Sequence, residues 1–349
     1  MVVARHPPGR VARRPAGGGM SILVVADPWD GLDPRIDATV GLVAAAQDLG
    51  VPVLLCTPAD LSVTGGRVRA RATQVELGPR ARGNDHRWVV GTPWFRTSPS
   101  RRLDVAADTD LVLLRIDPPV DGRYLHTTYL LDLVEAAGTR VVNRPEGVRA
   151  LHEKVTALLF PDLCPETLVS ADPDEVRRFV ARTGAAVIKP VDGFGGLDVW
   201  LLRDDEAATS LVASATGGGA RHVIAQEYLP AVTAGNKRLF LLDGEVIGAV
   251  LRRPDDRDFR IGAPCAVARV DEDDRRIVAA LAPLLARHGI AMAGLDVIGG
   301  RLIEVNLTCP GGMSKTDALL GTDLSGTYLR RLLGVAVHHP SQQKEMAQP

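Results

Sequence analysis

The sequence predicts an α/β domain built on a parallel sheet, followed by an α+β domain with antiparallel sheets. Two strands of buried character, at 21–26 and 51–56, flank an amphipathic helix predicted over 36–48, and this strand-helix-strand order is typical of a parallel sheet. After Pro145, short strands alternate with helices and then form hairpin-like pairs, which is the α+β pattern. The 349 residues are enough for two or three domains with cores of their own.

The first domain is predicted to cover residues 20–144. Its later elements are a strand at 111–114, a helix at 124–137 and a strand at 140–143. Residues 63–108 are rich in Arg, Gly and Pro and show little periodicity, so we expect an irregular excursion between elements.

The second domain is predicted to cover residues 145–335. We expect helices near 172–183, 205–214, 272–288 and 322–334, and hairpins that pair 237–242 with 245–252 and 295–298 with 302–306. Residues 1–19 have no apolar core and are expected to form a disordered leader, with translation starting at Met20. Residues 336–349 are expected to be a disordered tail.

Composition excludes several classes of protein. Lys plus Arg total 41 against 42 for Asp plus Glu, and this balance predicts neither nucleic-acid nor membrane binding. The four cysteines are widely spaced, which argues against a zinc site or a disulfide framework and favours a reducing, cytoplasmic compartment. The dinucleotide fingerprint G-x-G-x-x-G is missing from the first strand-helix turn, and no Walker A loop occurs anywhere.

Three oxygen-bearing side chains in the last predicted hairpin suggest a metal site. Asp296, Glu304 and Asn306 lie in strongly apolar strands, where an unpaired carboxylate would be costly. Oxygen ligands suit Mg²⁺, with Mn²⁺ as an alternative. A plain two-residue turn would point Glu304 away from Asp296, so the metal site requires a bulge or an odd-length loop. Otherwise the segment is an edge hairpin with solvated polar residues.

Other polar positions suggest an anion site beside it. Lys189 ends a strand and is followed by a glycine-rich turn that contains Gly195 and Gly196, a plausible phosphate site. Lys154, at the predicted domain junction, is by default a surface lysine. Residues 226–230 end the next strand and could form an adenine hinge. Because no nucleophile motif is present, the inventory of cations and metal ligands fits phosphoryl chemistry.

Arg115 and Asp117 follow the carboxyl end of a predicted strand, where ligands bind in open α/β sheets. A local ion pair between them is the alternative.

The ordered motifs resemble bacterial glutathione synthetase, a family of ATP-grasp ligases, from about residue 20 to 335. The matching segments are Arg115–Pro119, Val142–Pro145, Glu153–Lys154, Pro165–Val169, Ile188–Gly196, Gln226–Pro230, Lys237–Arg238, Gly294–Gly299 and Glu304–Thr308. The resemblance implies a homo-oligomer that uses ATP to join glycine to γ-glutamylcysteine through an acyl phosphate.

The resemblance also implies roles for individual residues. ATP would be held by Lys154, Lys189, Gly195, Gly196, Gln226, Glu227, Tyr228, Leu229, Asn236 and Lys237, and Mg²⁺ by Asp296, Glu304 and Asn306. Arg252 and Arg260 would act at the reacting phosphate, and Asp27, Asp37, Arg115 and Asp117 would face the peptide substrate.

The sequence departs from the family pattern near the acceptor. The lid segment that begins at Arg260 is shorter and poorer in glycine, Asn236 replaces a frequent aspartate, and 309–313 replaces the usual Ser-Pro-Thr. Two alternatives therefore stay open: a related ligase that uses a different amino acid or amine, and a degenerate scaffold that binds nucleotide without turnover.

Overall fold

The structure is a computed structural model, and it describes residues 20–335 except 84, 194, 204–205, 255–259, 261 and 263. The expected leader at 1–19 and tail at 336–349 lie outside the described residues. Within the described part of the chain, the helices are all too short or too polar to cross a membrane.

The first region is an α/β layer, as predicted. Its elements are β1 (Ile22–Ala26), α1 (Ala38–Asp48), β2 (Val53–Cys56), β3 (Leu61–Thr64), β4 (Arg67–Leu77), β5 (Arg80–Arg82), β6 (Trp88–Val90), β7 (Phe95–Thr97), β8 (Arg101–Asp104), α2 (Val105–Asp108), β9 (Leu111–Arg115), α3 (Gly122–Ala136) and β10 (Arg140–Val142). Strands β10, β9, β1 and β2 are parallel, in that order. Val24 at the centre pairs with Leu55 on one side and Leu113 on the other.

The prediction of an irregular excursion over 63–108 was wrong. Strand β4 occupies its centre and continues the sheet by pairing antiparallel with β2, while β3, β7 and β8 pair with β4. Exposed and buried positions alternate along β4, and its first buried positions are Val68, Ala70 and Ala72. The alternation is that of a half-buried strand, but alanine is depleted in strands, so the residues on the buried face did not mark the segment as one.

Helix α1 is more buried than an amphipathic helix. Every residue from Ala38 to Ala46 is buried, because the parallel sheet covers one face and the last two helices of the chain cover the other. The small side chains at 44–46 allow this close packing on two sides.

The second region has the predicted α+β architecture. Its elements are α4 (Pro145–Ala150), β11 (Thr167–Ser170), α5 (Pro173–Thr183), β12 (Ala185–Pro190), β13 (Trp200–Arg203), α6 (Glu206–Thr216), β14 (Val223–Glu227), β15 (Asn236–Leu242), β16 (Glu245–Arg252), β17 (Pro264–Val267), α7 (Glu272–Arg287), β18 (Met292–Ile298), β19 (Arg301–Asn306), α8 (Met313–Leu320) and α9 (Leu324–Leu332). One antiparallel sheet has the order β11-β14-β12-β13 and the other β17-β16-β15-β18-β19.

The β18–β19 hairpin contains the bulge that a metal site required. Its turn, Gly299–Gly300, has positive φ at both residues (+56° and +72°), the conformation that a two-residue hairpin turn favours. Beyond the turn the register shifts and skips Ile303, so that Asp296 lies directly opposite Glu304. This geometry confirms the prediction of a bulge.

The C-terminal helices join the two regions. Helices α8 and α9 pack against α1 of the first region. The Tyr328 hydroxyl donates to the Leu241 carbonyl at 2.6 Å, and the Trp88 indole N–H on β6 donates to the Ser314 carbonyl on α8 at 3.0 Å. Groups on both regions can therefore face one cavity.

Candidate active site

A cavity of about 620 Å³ is lined by both antiparallel sheets of the second region. Most residues singled out from the sequence line it, namely Lys154, Lys189, Gly195, Gly196, Gln226, Glu227, Tyr228, Leu229, Arg252, Arg260, Asp296, Glu304 and Asn306. A single cavity thus contains the expected hinge, phosphate and metal groups. Pro118, from the loop after β9, also lines it and brings the first region to its edge.

Two lysines supply positive charge to the cavity wall. The Lys154 ammonium donates to the Gly193 carbonyl and lies 3.5 Å from a Glu304 carboxylate oxygen. Lys189 is buried, and its ammonium donates to Gln226 Oε1 at 3.3 Å. Burial lowers the pKa of Lys189 even though the Glu304 carboxylate opposes the shift. A desolvated ammonium of this kind favours an anionic ligand.

The strand end at 226–229 lies on the cavity wall, as an adenine hinge requires. Two of its backbone N–H groups are already engaged, since Glu227 donates to Glu166 O at 2.8 Å and Tyr228 donates to Ala185 O at 3.0 Å. Recognition of a base at this hinge would therefore use groups other than these two donors. Leu229 and Val232 add apolar surface next to them.

The three proposed metal ligands share one face of the bulged hairpin. Side chains directly opposite each other in an antiparallel pair point the same way, so Glu304 faces Asp296, and the Asn306 amide donates to the Gly294 carbonyl at 3.1 Å. Within the described residues, no three His, Cys, Asp or Glu side chains gather as a metal site. A set of two carboxylates and one amide fits a hard cation that keeps coordination positions for water and phosphate oxygens.

Two arginines neutralise the buried Asp296 carboxylate. Arg238 donates to both of its oxygens, at 2.6 Å and 3.0 Å, and Arg252 donates to Oδ1. Burial raises the pKa of Asp296, but the charges of Arg238 and then Arg252 outweigh that effect and hold it below its ordinary value. Burial lowers the pKa of Arg252 to about 10, which leaves it charged at neutral pH. The carboxylate is therefore ionised, which a metal ligand requires.

Sequence reasoning missed Arg238 as a site residue. It lies opposite Asp296 on β18, and a Cβ on Gly294 would lie only 2.9 Å from its guanidinium, so glycine makes room for the ion pair. Lys237 points to the other face of β15 and pairs with Asp271 and Asp274. Strand alternation was the signal that could have separated these two neighbours.

Of two further predicted site residues, Arg260 lines the cavity and Asn236 does not. Asn236 is fully buried and accepts from Arg252 without lining the cavity, so it orients that arginine. Arg260 is exposed and lines the cavity, with its Cδ 3.8 Å from where a Cβ on Gly196 would lie. Residues 261 and 263 of the shortened lid, and residues 255–259 before it, lie outside the described residues.

The four residues that were expected to face the substrate lie after the carboxyl ends of β1 and β9, and none of them lines the cavity. Asp27 accepts from the Asp117 N–H at 2.8 Å, and Asp37 caps α1 by accepting from the Val40 N–H. Arg115 is buried and donates to Thr39 Oγ1 and to the Pro310 carbonyl, where the alternative had expected an ion pair with Asp117.

Burial raises the pKa of Asp37, and the charge of Arg115 counters part of that shift. The Arg115–Pro310 bond ties this group of residues to the segment that follows β19.

Glu153 is a second residue whose role the sequence did not reveal. One of its carboxylate oxygens accepts from Leu307 N and Thr308 N, both at 2.9 Å, and from Thr308 Oγ1 at 2.7 Å. These bonds hold the chain immediately after Asn306. The Val305 N–H also donates to the Glu153 carbonyl at 2.9 Å, so Glu153 contacts the chain on both sides of Asn306.

Comparisons with known proteins point to the same family in both regions of the chain. One family model, described as the N-terminal domain of prokaryotic glutathione synthetase, matches residues 20–149, and a second, described as the ATP-grasp domain of the same enzyme, matches residues 153–321. A glutathione synthetase from Thermosynechococcus vestitus is 41% identical over 312 residues, which cover 87% of this chain and 97% of the relative. One from Synechococcus elongatus is 40% identical over 90% of this chain and 98% of the relative.

Among solved structures, the D-cycloserine synthetase DcsG superposes with a TM-score of 0.60 at 20% identity. The match covers 90% of this chain and 99% of that one. At this level of identity the likeness concerns the fold alone.

Proposed function

The chain belongs to the prokaryotic glutathione synthetase family, and from this premise we propose that its cavity joins glycine to γ-glutamylcysteine with the conversion of ATP to ADP and phosphate. The protein is an ATP-dependent carboxylate–amine ligase of the ATP-grasp type. The observation that carries the proposal is the bulged hairpin, which turns Asp296 and Glu304 toward each other in a cavity that is also lined by five buried or half-buried cations.

In the proposed reaction, an oxygen of the cysteinyl carboxylate attacks the γ-phosphorus and ADP leaves. The glycine amine then forms a bond to the acyl carbon, phosphate departs with the C–O electron pair, and the amine loses a proton. Each step brings anions together, so positioned cations lower the barrier. Lys154 and Lys189 would bind the phosphates, and Arg252 would face the group being transferred.

Asp296, Glu304 and Asn306 would hold Mg²⁺, or Mn²⁺ in its place, which supplies further charge neutralisation when bound. The fit rests on their shared face and on the ionised state of Asp296, which the two guanidinium groups maintain. We assign the residues 226–229 to the adenine end of ATP, because they lie on the same cavity wall as Lys189.

The dipeptide would bind where the first region meets the cavity. Asp27 and Asp117 would face its ammonium group, and Arg115, which reaches Pro310, would hold the substrate loop near the reacting centre. All four cysteines are unpaired. This state favours the reducing, cytoplasmic compartment that we include in the proposal, and a homo-oligomeric state remains part of it as well.

A ligase with another acceptor is the second candidate, because Cys309 lines the cavity and begins the segment 309–313, whose sequence departs from the family pattern. A degenerate scaffold is disfavoured, since the lysines and the metal ligands are all in place around one cavity.

The test is ADP release from Mg²⁺-ATP and γ-glutamylcysteine, with and without glycine, with the product identified by mass. Glutathione formed only when glycine is present supports the proposal. Turnover with another amine from a panel, and none with glycine, would favour the second candidate. No carboxylate-dependent ADP release under any condition would favour the scaffold.

A further inference from the structure

Lys315 is a cation of the cavity wall that the reaction described above does not use. It lies in the first turn of α8, just after the metal-binding strand, and lines the cavity together with Arg252, Thr308 and Cys309. The side chain is half-buried, and it forms no ion pair with any residue that the structure describes. A cation in this position is available to a ligand.

The charges around Lys315 favour an anion. Burial lowers its pKa, and the guanidinium groups of Arg252 and Arg87 lower it further, while Asp33 alone acts in the opposite direction. An ammonium that is partly desolvated among other cations is costly to keep charged. A bound carboxylate or phosphate would recover that free energy.

The position of Lys315 separates it from the phosphate end of the cavity. The charged groups that act on Lys189 are those of the metal hairpin and Lys154, whereas those that act on Lys315 are Arg252 and two residues of the first region. The bond from the Trp88 indole to the Ser314 carbonyl fixes the first turn of α8 against the first region.

We propose that the Lys315 ammonium binds the carboxylate of the acceptor amino acid. The inference rests on the proposed function. Lys154 and Lys189 are assigned to the phosphates, which leaves Lys315, among the lysines of the described cavity wall, without an assigned ligand. An α-amino acid carries its carboxylate carbon two bonds from the attacking nitrogen, so a cation on the wall of the same cavity can bind that carboxylate.

The experiment compares wild type with Lys315→Met, which keeps the apolar stem and removes the charge, and with Lys315→Arg, which retains the charge. In Lys315→Met the KM for glycine should rise roughly 10- to 100-fold, the range for one charge-assisted hydrogen bond. The KM values for ATP and for the dipeptide should change less than about 2-fold on the same reasoning, because neither ligand uses this group. Lys315→Arg should recover a large part of the affinity for glycine. Arg276→Ala, which removes an exposed cation of α7, is the control for a change in net charge.

Acceptors that lack a carboxylate distinguish an effect of Lys315 on acceptor binding from an effect on formation of the acyl phosphate. Wild type should prefer glycine over glycinamide, and Lys315→Met should lose most of that preference. Hydroxylamine, which traps the acyl phosphate as a hydroxamate, should react comparably in both proteins.

A rise in the KM for the dipeptide or for ATP would overturn the inference by assigning Lys315 to those ligands. An unchanged KM for glycine would overturn it as well. If wild type shows no glycine-dependent turnover, the proposed function and the inference both fail. If wild type uses glycine and Lys315→Met uses it equally well, the inference alone fails.

Discussion

Replacing Glu153 should show how much the clamp behind the metal strand contributes to stability and to turnover. One carboxylate oxygen accepts two backbone N–H groups and one hydroxyl, from Leu307 and Thr308, and both of these residues are buried. Alanine would leave the two N–H groups without a partner, at about 1–3 kcal/mol each, so Glu153→Ala should destabilise the fold by about 2–6 kcal/mol. Glu153→Gln keeps an acceptor oxygen but loses the charge, and should cost about 1–2 kcal/mol.

The assay is urea unfolding of both variants, with Glu245→Gln as the control, because Glu245 makes only an exposed ion pair. ADP release should fall more steeply in Glu153→Ala than in Glu153→Gln, since the clamp also fixes the chain next to Asn306. An alanine variant within about 0.5 kcal/mol of wild type would refute the reasoning, because that is the range of ordinary surface substitutions.

Three further predictions concern the hairpin and the thiols. Gly294→Ala should lower the free energy of unfolding in urea by about 1–3 kcal/mol, because the added Cβ would press on the buried Arg238 guanidinium. Gly122→Ala is the control, because the space around Gly122 is open. Equal effects of the two substitutions would contradict this account. Glu304→Gln should abolish most ADP formation and weaken Mn²⁺ binding measured by electron paramagnetic resonance, with Glu245→Gln unaffected, and a fully active Glu304→Gln enzyme would remove the metal assignment. Thiol labelling at pH 8 should be fast at the exposed Cys265 only. Burial raises the pKa of the other three thiols and so suppresses their reactive thiolate forms. Rapid labelling of more than one thiol per chain would contradict this prediction.

The choice of Glu304 for the metal test, and not Asp296, follows from the structure. Asp296 is the shared partner of two buried guanidinium groups, so its replacement would leave both without a carboxylate. Breaking such a buried pair costs about 3–5 kcal/mol, and a loss of activity would then be mixed with unfolding.

The parts of the fold that could be predicted from the sequence are those in which the spacing of polar or apolar residues allows only one local structure. The bulge in β18–β19 is one of them, because Asp296 and Glu304 have the wrong spacing to face each other across a plain two-residue turn. Helices α5 and α7 were predicted within a residue or two of their observed ends, since their apolar positions follow the helical period.

The parts that could not be predicted lack strong strand formers or depend on contacts between distant segments. Strand β4 was missed because alanine and arginine alternate where larger apolar residues would have marked it. Helix α8 was missed because it starts directly after Gly311 and Gly312 and is held by packing against α1. The roles of Glu153 and Lys315 depend on segments far apart in the chain, and no local pattern reports them.

The most direct test of the ligase chemistry uses γ-glutamylcysteine with both oxygens of its cysteinyl carboxylate replaced by ¹⁸O. If that carboxylate attacks the γ-phosphorus, one labelled oxygen must leave with phosphate at every turnover. Mass spectrometry should then find one ¹⁸O in each phosphate released and one in each glutathione. Unlabelled phosphate, with both labels retained in the dipeptide, would mean that ATP is hydrolysed by water and would contradict the account.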